Sequence, residues 1–185
     1  MKVTIDGQSV EVEPGTTILQ AARMIGGDLV PPAMCYYSKL KGSGGKCRCC
    51  LVEVAKGSEA DPRPMPKLMA SCVTGCMDGM EVNSKNSERA TEARESATEF
   101  LLINNTLDYP VCDQAGECNL QDLSFEHGKS ETRFIEEKRT FEPENIGDKI
   151  QLHMNRCILC QRCTTLADQL TDKRVHGVLN RGDHE

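Results

Sequence analysis

Val3 and Ile5 alternate with Lys2, Thr4 and Asp6, and after Gly7 the alternation resumes at Val10 and Val12. Apolar positions with a period of two on either side of an Asp-Gly pair predict a β-hairpin with one buried face. Pro14-Gly15 ends the second strand, and the period then changes. Ile18, Leu19, Ala22 and Ile25 fall on one helical face, with Thr16 or Thr17 placed to cap the helix and Gly26-Gly27 to stop it. A hairpin followed by a helix able to cover it predicts a small α+β sheet fold. Residues 51–55 and 80–82 read as further short strands, and residues 56–67, with three prolines and mixed charge, as a surface loop.

Beyond residue 84 the pattern weakens. Ala90, Ala93, Ala97, Phe100 and Leu101 recur at helical spacing among Glu and Arg, which predicts an amphipathic packing helix over residues 87–104. Residues 126–148 are charged and show little periodicity, residues 164–170 read as a short helix, and residues 175–185 as a loose end. The chain therefore divides into a sheet domain at 1–83, a small helical, loop-rich domain at 84–125, and a connector with a final segment at 126–185.

Composition makes that division more pointed. The 185 residues include no Trp, 3 Tyr and 4 Phe, and 27% are charged, so the cores must be thin and something besides packing must hold them. Met1 leads directly into Lys2 and Val3 without an apolar leader, and no run of 18 apolar residues occurs. These features predict a cytoplasmic chain without membrane insertion, where thiols stay reduced and close-set cysteines bind metal more often than they form disulfides. A net charge of -6 argues against a nucleic-acid partner.

The 11 cysteines carry the chemistry. Cys35, Cys47, Cys50 and Cys72 put one pair on a loop, with single ligands arriving from before and after it, a pattern that suits four thiolates around two irons. Gly42, Gly44 and Gly45 lie just ahead of Cys47, where glycine lets backbone N–H groups turn toward sulfur. Lys46 and Arg48 add positive charge nearby, although such residues most often face water, and Cys49 and Cys76 are expected to be small buried hydrophobes, Cys49 pointing away from Cys50 on an extended strand. Near the end, Cys157, Cys160 and Cys163 stand three residues apart and can take three corners of a compact cluster; a zinc knuckle would show two separated pairs. No cysteine follows Cys163. The triplet thus implies a longer protein, a ligand from another group, or a cluster with one open iron capable of Lewis-acid chemistry. His153 is a conceivable neighbour. No phosphate loop, nucleophile elbow or metalloprotease His pair occurs, so the chain is expected to pass single electrons and not to bind NADH or flavin itself.

The residues from Val10 to Ala22, Cys35-Tyr36, and the run from Cys47 to Val54 resemble the N-terminal ferredoxin-like domain of the large peripheral iron-sulfur subunit of respiratory NADH-quinone oxidoreductase, complex I. The resemblance implies a β-grasp fold and a [2Fe-2S] centre on Cys35, Cys47, Cys50 and Cys72. It continues through Glu99 to Leu102, then from Cys112 to Asp122, Arg133-Phe134, Asn145 to Gly147, the triplet, and Asn180 to Asp183. The family's middle region binds a [4Fe-4S] cluster through one His and three Cys. Here Asn105 stands at the His position and Tyr109 at the first Cys, so only Cys112 and Cys118 fit, and His127 is the nearest replacement in sequence. Two ligands hold a cubane poorly. The reading puts an empty site first, an irregular cluster second and zinc third.

The triplet resembles the family's next [4Fe-4S] loop, whose fourth Cys lies farther along than this sequence extends. The resemblance implies an electron-transfer component of NADH dehydrogenase, working with other peripheral-arm subunits including the flavin- and NADH-binding one, on the cytoplasmic face of the inner membrane. Diaphorase subunits of NAD-linked hydrogenases and cluster-bearing formate dehydrogenases share these domains. From another class, a zinc-stapled interaction module is the alternative.

Overall fold

The computed structural model describes residues 1–180. β1 (Lys2–Ile5) and β2 (Gln8–Glu11) form the hairpin expected at Asp6-Gly7, antiparallel with Val3 opposite Val10. Asp6 and Gly7 both take positive φ, 46° and 83°, as the two-residue turn requires. α1 (Ile18–Ile25) follows. Thr17 is its cap: the Thr17 hydroxyl accepts from the Gln20 amide at 3.3 Å and the Gln20 side chain accepts from the Thr17 amide at 2.8 Å. Such a cap contributes about 1 kcal/mol.

β3 (Leu51–Lys56), β4 (Met69–Ala70) and β5 (Met80–Asn83) complete a five-stranded sheet of order β2-β1-β5-β3-β4. β5 enters between β1 and β3, parallel to β1 and antiparallel to β3. α1 lies on one face and buries Ile18, Ala21 and Ala22 against Val3, Ile5, Val52, Val54, Met80 and Val82, which makes the first domain a β-grasp fold.

α2 (Glu88–Leu102), capped by Ser87, is the helix expected from spacing, and Ala90 of the expected face is fully buried, but most of its other buried side chains are polar. Ala90, Arg94, Thr98 and Glu99 are buried, whereas Phe100 is 55% exposed. Polar side chains win because each finds a partner: Thr98 donates to the Arg94 carbonyl, and Glu99 accepts from the Arg133 amide at 2.8 Å and guanidinium at 2.9 Å. Arg133 holds the Glu99 carboxyl at about 2. A carboxyl depressed in the folded state stabilises it above the ordinary 4.5 and loses that contribution as pH falls toward 2. Melting temperature followed down through this window should fall more steeply in the native chain than in Glu99→Gln; parallel curves would dismiss the ion pair as a source of acid sensitivity.

α3 (Asn119–His127) was not legible, being polar outside Leu120, Leu123 and the exposed Phe125. A small antiparallel pair, β6 (Glu144–Asn145) and β7 (Gln151–Leu152), interrupts the connector, and α4 (Arg162–Leu170) begins two residues earlier than its pattern suggested. The expectation of a loose end extends over residues 181–185, which lie outside the described residues, as does most of the Asn180 to Asp183 resemblance.

Candidate functional site

The cysteines of the first domain are placed by the sheet and by α1. β3 pairs with β4, Leu51 opposite Ala70, so Cys50 and Cys72 leave neighbouring strands together, and the Ser71 amide donates to the Cys50 carbonyl at 3.1 Å. The first amides of α1, on Ile18 and Leu19, donate to the Thr74 and Ser71 carbonyls, which fastens the turn carrying Cys72. On the other side, Ser43 closes the preceding loop by accepting from the Tyr37 amide and donating to the Tyr37 carbonyl. Gly44 and Gly45 follow at φ 111° and 75°.

That loop aims its backbone at sulfur. The Gly45 amide donates to Cys72 Sγ at 3.2 Å, and the Lys46 and Cys47 amides donate to Cys35 Sγ at 3.3 and 3.4 Å. A Cβ on Gly44 would lie 3.2 Å from Cys72 Sγ and 3.3 Å from Val73 Cγ1, in a backbone conformation that costs a non-glycine residue of order 1–3 kcal/mol. Gly44→Ala should therefore lower the melting temperature and disturb the Cys72 thiol; an unchanged melt and unchanged thiol reactivity would contradict it.

The four sulfurs fall into two pairs. Cys35 and Cys47 pack with Met34, Cys49 and Leu120, while Cys50 and Cys72 pack with Leu19 and Ala70. Hydrogen bonding with Cys35 first and Cys50 second, then burial, pushes Cys72 up, and the Cys72 hydrogen bond holds Cys50 down to about 6. Ser71 Oγ, buried without a geometric hydrogen-bond partner, lies near enough to the Cys50 sulfur to add to its lowering. A hydrogen bond with Cys35 favours the Cys47 thiolate, but Cys49 and burial outweigh it and raise Cys47 overall. Among the described residues no three His, Cys, Asp or Glu side chains gather as they would around one ion.

Lys46 and Arg48 are exposed, as expected. Cys76 sits in the sheet core at 7% exposure, its thiol pushed up by burial. Cys49 is also buried, but on a turn and not on an extended strand: Arg48 takes φ 62°, and the Cys49 thiol donates to the Cys47 carbonyl at 3.7 Å.

The middle segment brings Tyr109, Cys112 and Cys118 together. The Tyr109 hydroxyl is buried without a geometric partner, and its pKa is raised by burial first and then by the nearby Cys118 and Cys112, with Ser124 opposing. Asn105 is buried and turned back on its own chain, its Oδ1 accepting from the Leu107 amide at 3.0 Å. His127 lies at the end of α3, paired with Glu126, and burial lowers its pKa.

The triplet forms a loop in which Leu159 and Gln161 adopt left-handed backbone, φ 54° and 56°. The Leu159 amide donates to Cys157 Sγ at 3.3 Å, and Arg162 Nε to Cys160 Sγ at 3.4 Å. Cys157 and Cys163 are exposed and Cys160 is half-buried. Ile158 and Cys160 join the apolar cluster around Cys35 and Cys47, and Gln169 Nε2 donates to the Lys41 carbonyl at 2.6 Å, so the triplet docks on the first site's loop. His153 Nδ1 is buried without a partner.

Three family models match successive parts of this arrangement: a 2Fe-2S iron-sulfur cluster binding domain over residues 1–87, the NADH-ubiquinone oxidoreductase-G iron-sulfur binding region over 94–133, and the ferredoxin-like domain of NADH-quinone oxidoreductase subunit 3 over 147–185. The G subunit of NADH-quinone oxidoreductase from Rickettsia bellii is 41% identical over 184 residues, and that from Rickettsia conorii 40%. Over its full length the chain matches the G subunit of NADH-quinone oxidoreductase. It spans about a quarter of the length of these curated relatives, 25% and 26%. A chain in the crystal structure of an NAD+-reducing [NiFe]-hydrogenase in the H2-reduced state is 30% identical and superposes with a TM-score of 0.81, over 98% of this chain and 71% of that one. The matched models are a 2Fe-2S domain and 4Fe-4S-binding regions, both expected from the cysteines; Arg94, which only the fold brings beside Cys50, was not expected.

Proposed function

We propose that this chain is an iron-sulfur electron carrier of an NADH-quinone oxidoreductase, with Cys35 and Cys47 holding one iron and Cys50 and Cys72 the other iron of a [2Fe-2S] centre. The three amides of Gly45, Lys46 and Cys47 aimed at Cys72 and Cys35 sulfur carry this reading, because they would stabilise thiolates and added negative charge. Cys72 lies beside both Cys35 and Cys50, so the two sulfur pairs are near enough to share one two-iron group. When bound, such a centre supplies one-electron reduction and oxidation; the protein fixes its position, keeps water away and tunes its potential.

Cys157, Cys160 and Cys163 would supply three ligands of a [4Fe-4S] centre, the fourth coming from a group beyond this loop. The Cys112 and Cys118 site carries no cubane in this reading, because a phenol occupies the first ligand position and Asn105 is committed to its own turn. The electron donor would be a flavin- and NADH-binding partner, with the carrier held peripherally at the cytoplasmic face of the inner membrane through the complex. Among the described residues no helix is long and apolar enough to cross a membrane. The second reading, an electron-transfer component of an NAD-linked hydrogenase, is favoured by the superposition on the hydrogenase chain, with a TM-score of 0.81 over 98% of this chain.

Metal analysis with EPR of the dithionite-reduced protein tests the proposal. About six irons per chain, one binuclear and one cubane centre, with a reduced binuclear signal, are expected. A colourless protein holding only zinc would replace electron transfer with a structural module.

A further inference from the structure

We infer that Arg94, a residue of the second segment, sets the reduction potential of the first centre by placing a buried positive charge behind Cys50. The inference rests on the [2Fe-2S] reading above. Arg94 falls at the start of the region matched at 94–133 and outside the 2Fe-2S match at 1–87. It is nevertheless only 5% exposed, driven from α2 into the edge of the first domain. Its Nε donates to the carbonyl of Leu51, the residue after Cys50, at 2.9 Å, and its Nη2 to Ser84 O and Oγ at 3.1 and 3.0 Å.

All three acceptors are neutral, so the charge is hydrogen-bonded without being cancelled. Burying a guanidinium in that way is unfavourable unless a negative group lies nearby. Two such groups bear on it, Asp6 and Cys50. The Asp6 carboxylate is already shared among the amides of Ser84, Lys85 and Asn86, at 2.8 to 3.2 Å. Asp6 bears on the cation more strongly than Cys50 does, but the sulfur side is the one whose charge changes when the centre is reduced. An electron added to a thiolate-bound centre increases negative charge in a poorly screened interior, and a fixed cation there favours the reduced form.

This gives the second segment work that does not depend on its own cluster. With Asn105 and Tyr109 at two ligand positions, α2 still delivers Arg94 to the first site. Losing those ligands leaves that contribution intact.

The test is a potentiometric titration of the binuclear EPR signal in the intact, cluster-loaded protein. Arg94→Gln should lower the midpoint by the equivalent of at least tenfold in the reduction constant, ~59 mV for one electron. Arg94→Lys keeps the charge and should hold most of the midpoint even though hydrogen bonds are lost. Asp6→Asn, mild at φ 46° because Asn tolerates that backbone, removes the opposing charge and should raise the midpoint. Equal losses of melting temperature in the Gln and Lys variants with unmoved midpoints would leave Arg94 a purely structural residue and overturn the inference. Should Arg94→Gln fail to fold, Arg94→Met, which keeps the aliphatic length without the charge, reads the same shift, and an unmoved midpoint in it overturns the inference equally. No binuclear signal in the unmodified protein would instead remove the reading beneath it.

Discussion

Cys72→Ala is expected to abolish the reduced binuclear EPR signal and to remove about two irons per chain. Cys72 is the sulfur with most depending on it: buried at 3% exposure, it receives the Gly45 amide and lies beside both Cys35 and Cys50. Its removal leaves the Gly45 N–H without an acceptor and separates the Cys50 side from the Cys35 side. Cys76→Ala is the matched control. That thiol is nearly as buried but faces the sheet core, so the variant should melt slightly lower and keep its iron. Iron retained in Cys72→Ala, or lost in Cys76→Ala, would reassign the ligands.

The paired replacement Asn105→His with Tyr109→Cys is expected to add about four irons per chain, rebuilding the middle site. Tyr109 already brings its side chain to Cys112 and Cys118, and exchanging the ring for a thiol leaves space where it stood. Asn105, 7% exposed, is held on the same turn by its bond to the Leu107 amide. In the native chain the complementary result is expected: Cys112→Ser changes the iron content little. A loss of about four irons there would show that Cys112 already serves a cubane, and an unchanged count in the double variant would show that the pocket does not reopen.

The first domain was legible because its signals are local. Period-two alternation gave the hairpin, a period change at Ile18 gave α1, and cysteine spacing isolated the four sulfurs that the fold gathers into two pairs. β4 was not, because two residues paired to Leu51 and Val52 have no period of their own. α2 was found and Ala90 is buried as its spacing implied, but Phe100 is not. Alanine and phenylalanine marked an apolar face, yet the surface it meets is lined with carbonyls and a cysteine turn, so Arg94, Thr98 and Glu99 gain more by being buried than Phe100 does. α3 escaped for the same reason, since Leu120 is its one fully buried side chain. Spacing singles out cysteines; it does not say which cations surround them.

Leu120 reaches into the same apolar cluster as Cys35, Cys47 and Cys160, so helix, sheet loop and triplet loop share one interior. The other sulfur pair belongs to a second cluster under α1. A cofactor bound across that seam would act as a rivet through two plates, and the protein's mechanical integrity would follow its loading. Damage to the metal, by oxidant or chelator, would loosen the docking of the later segments along with the redox function, presenting the injured chain to proteolysis as two parts coming apart.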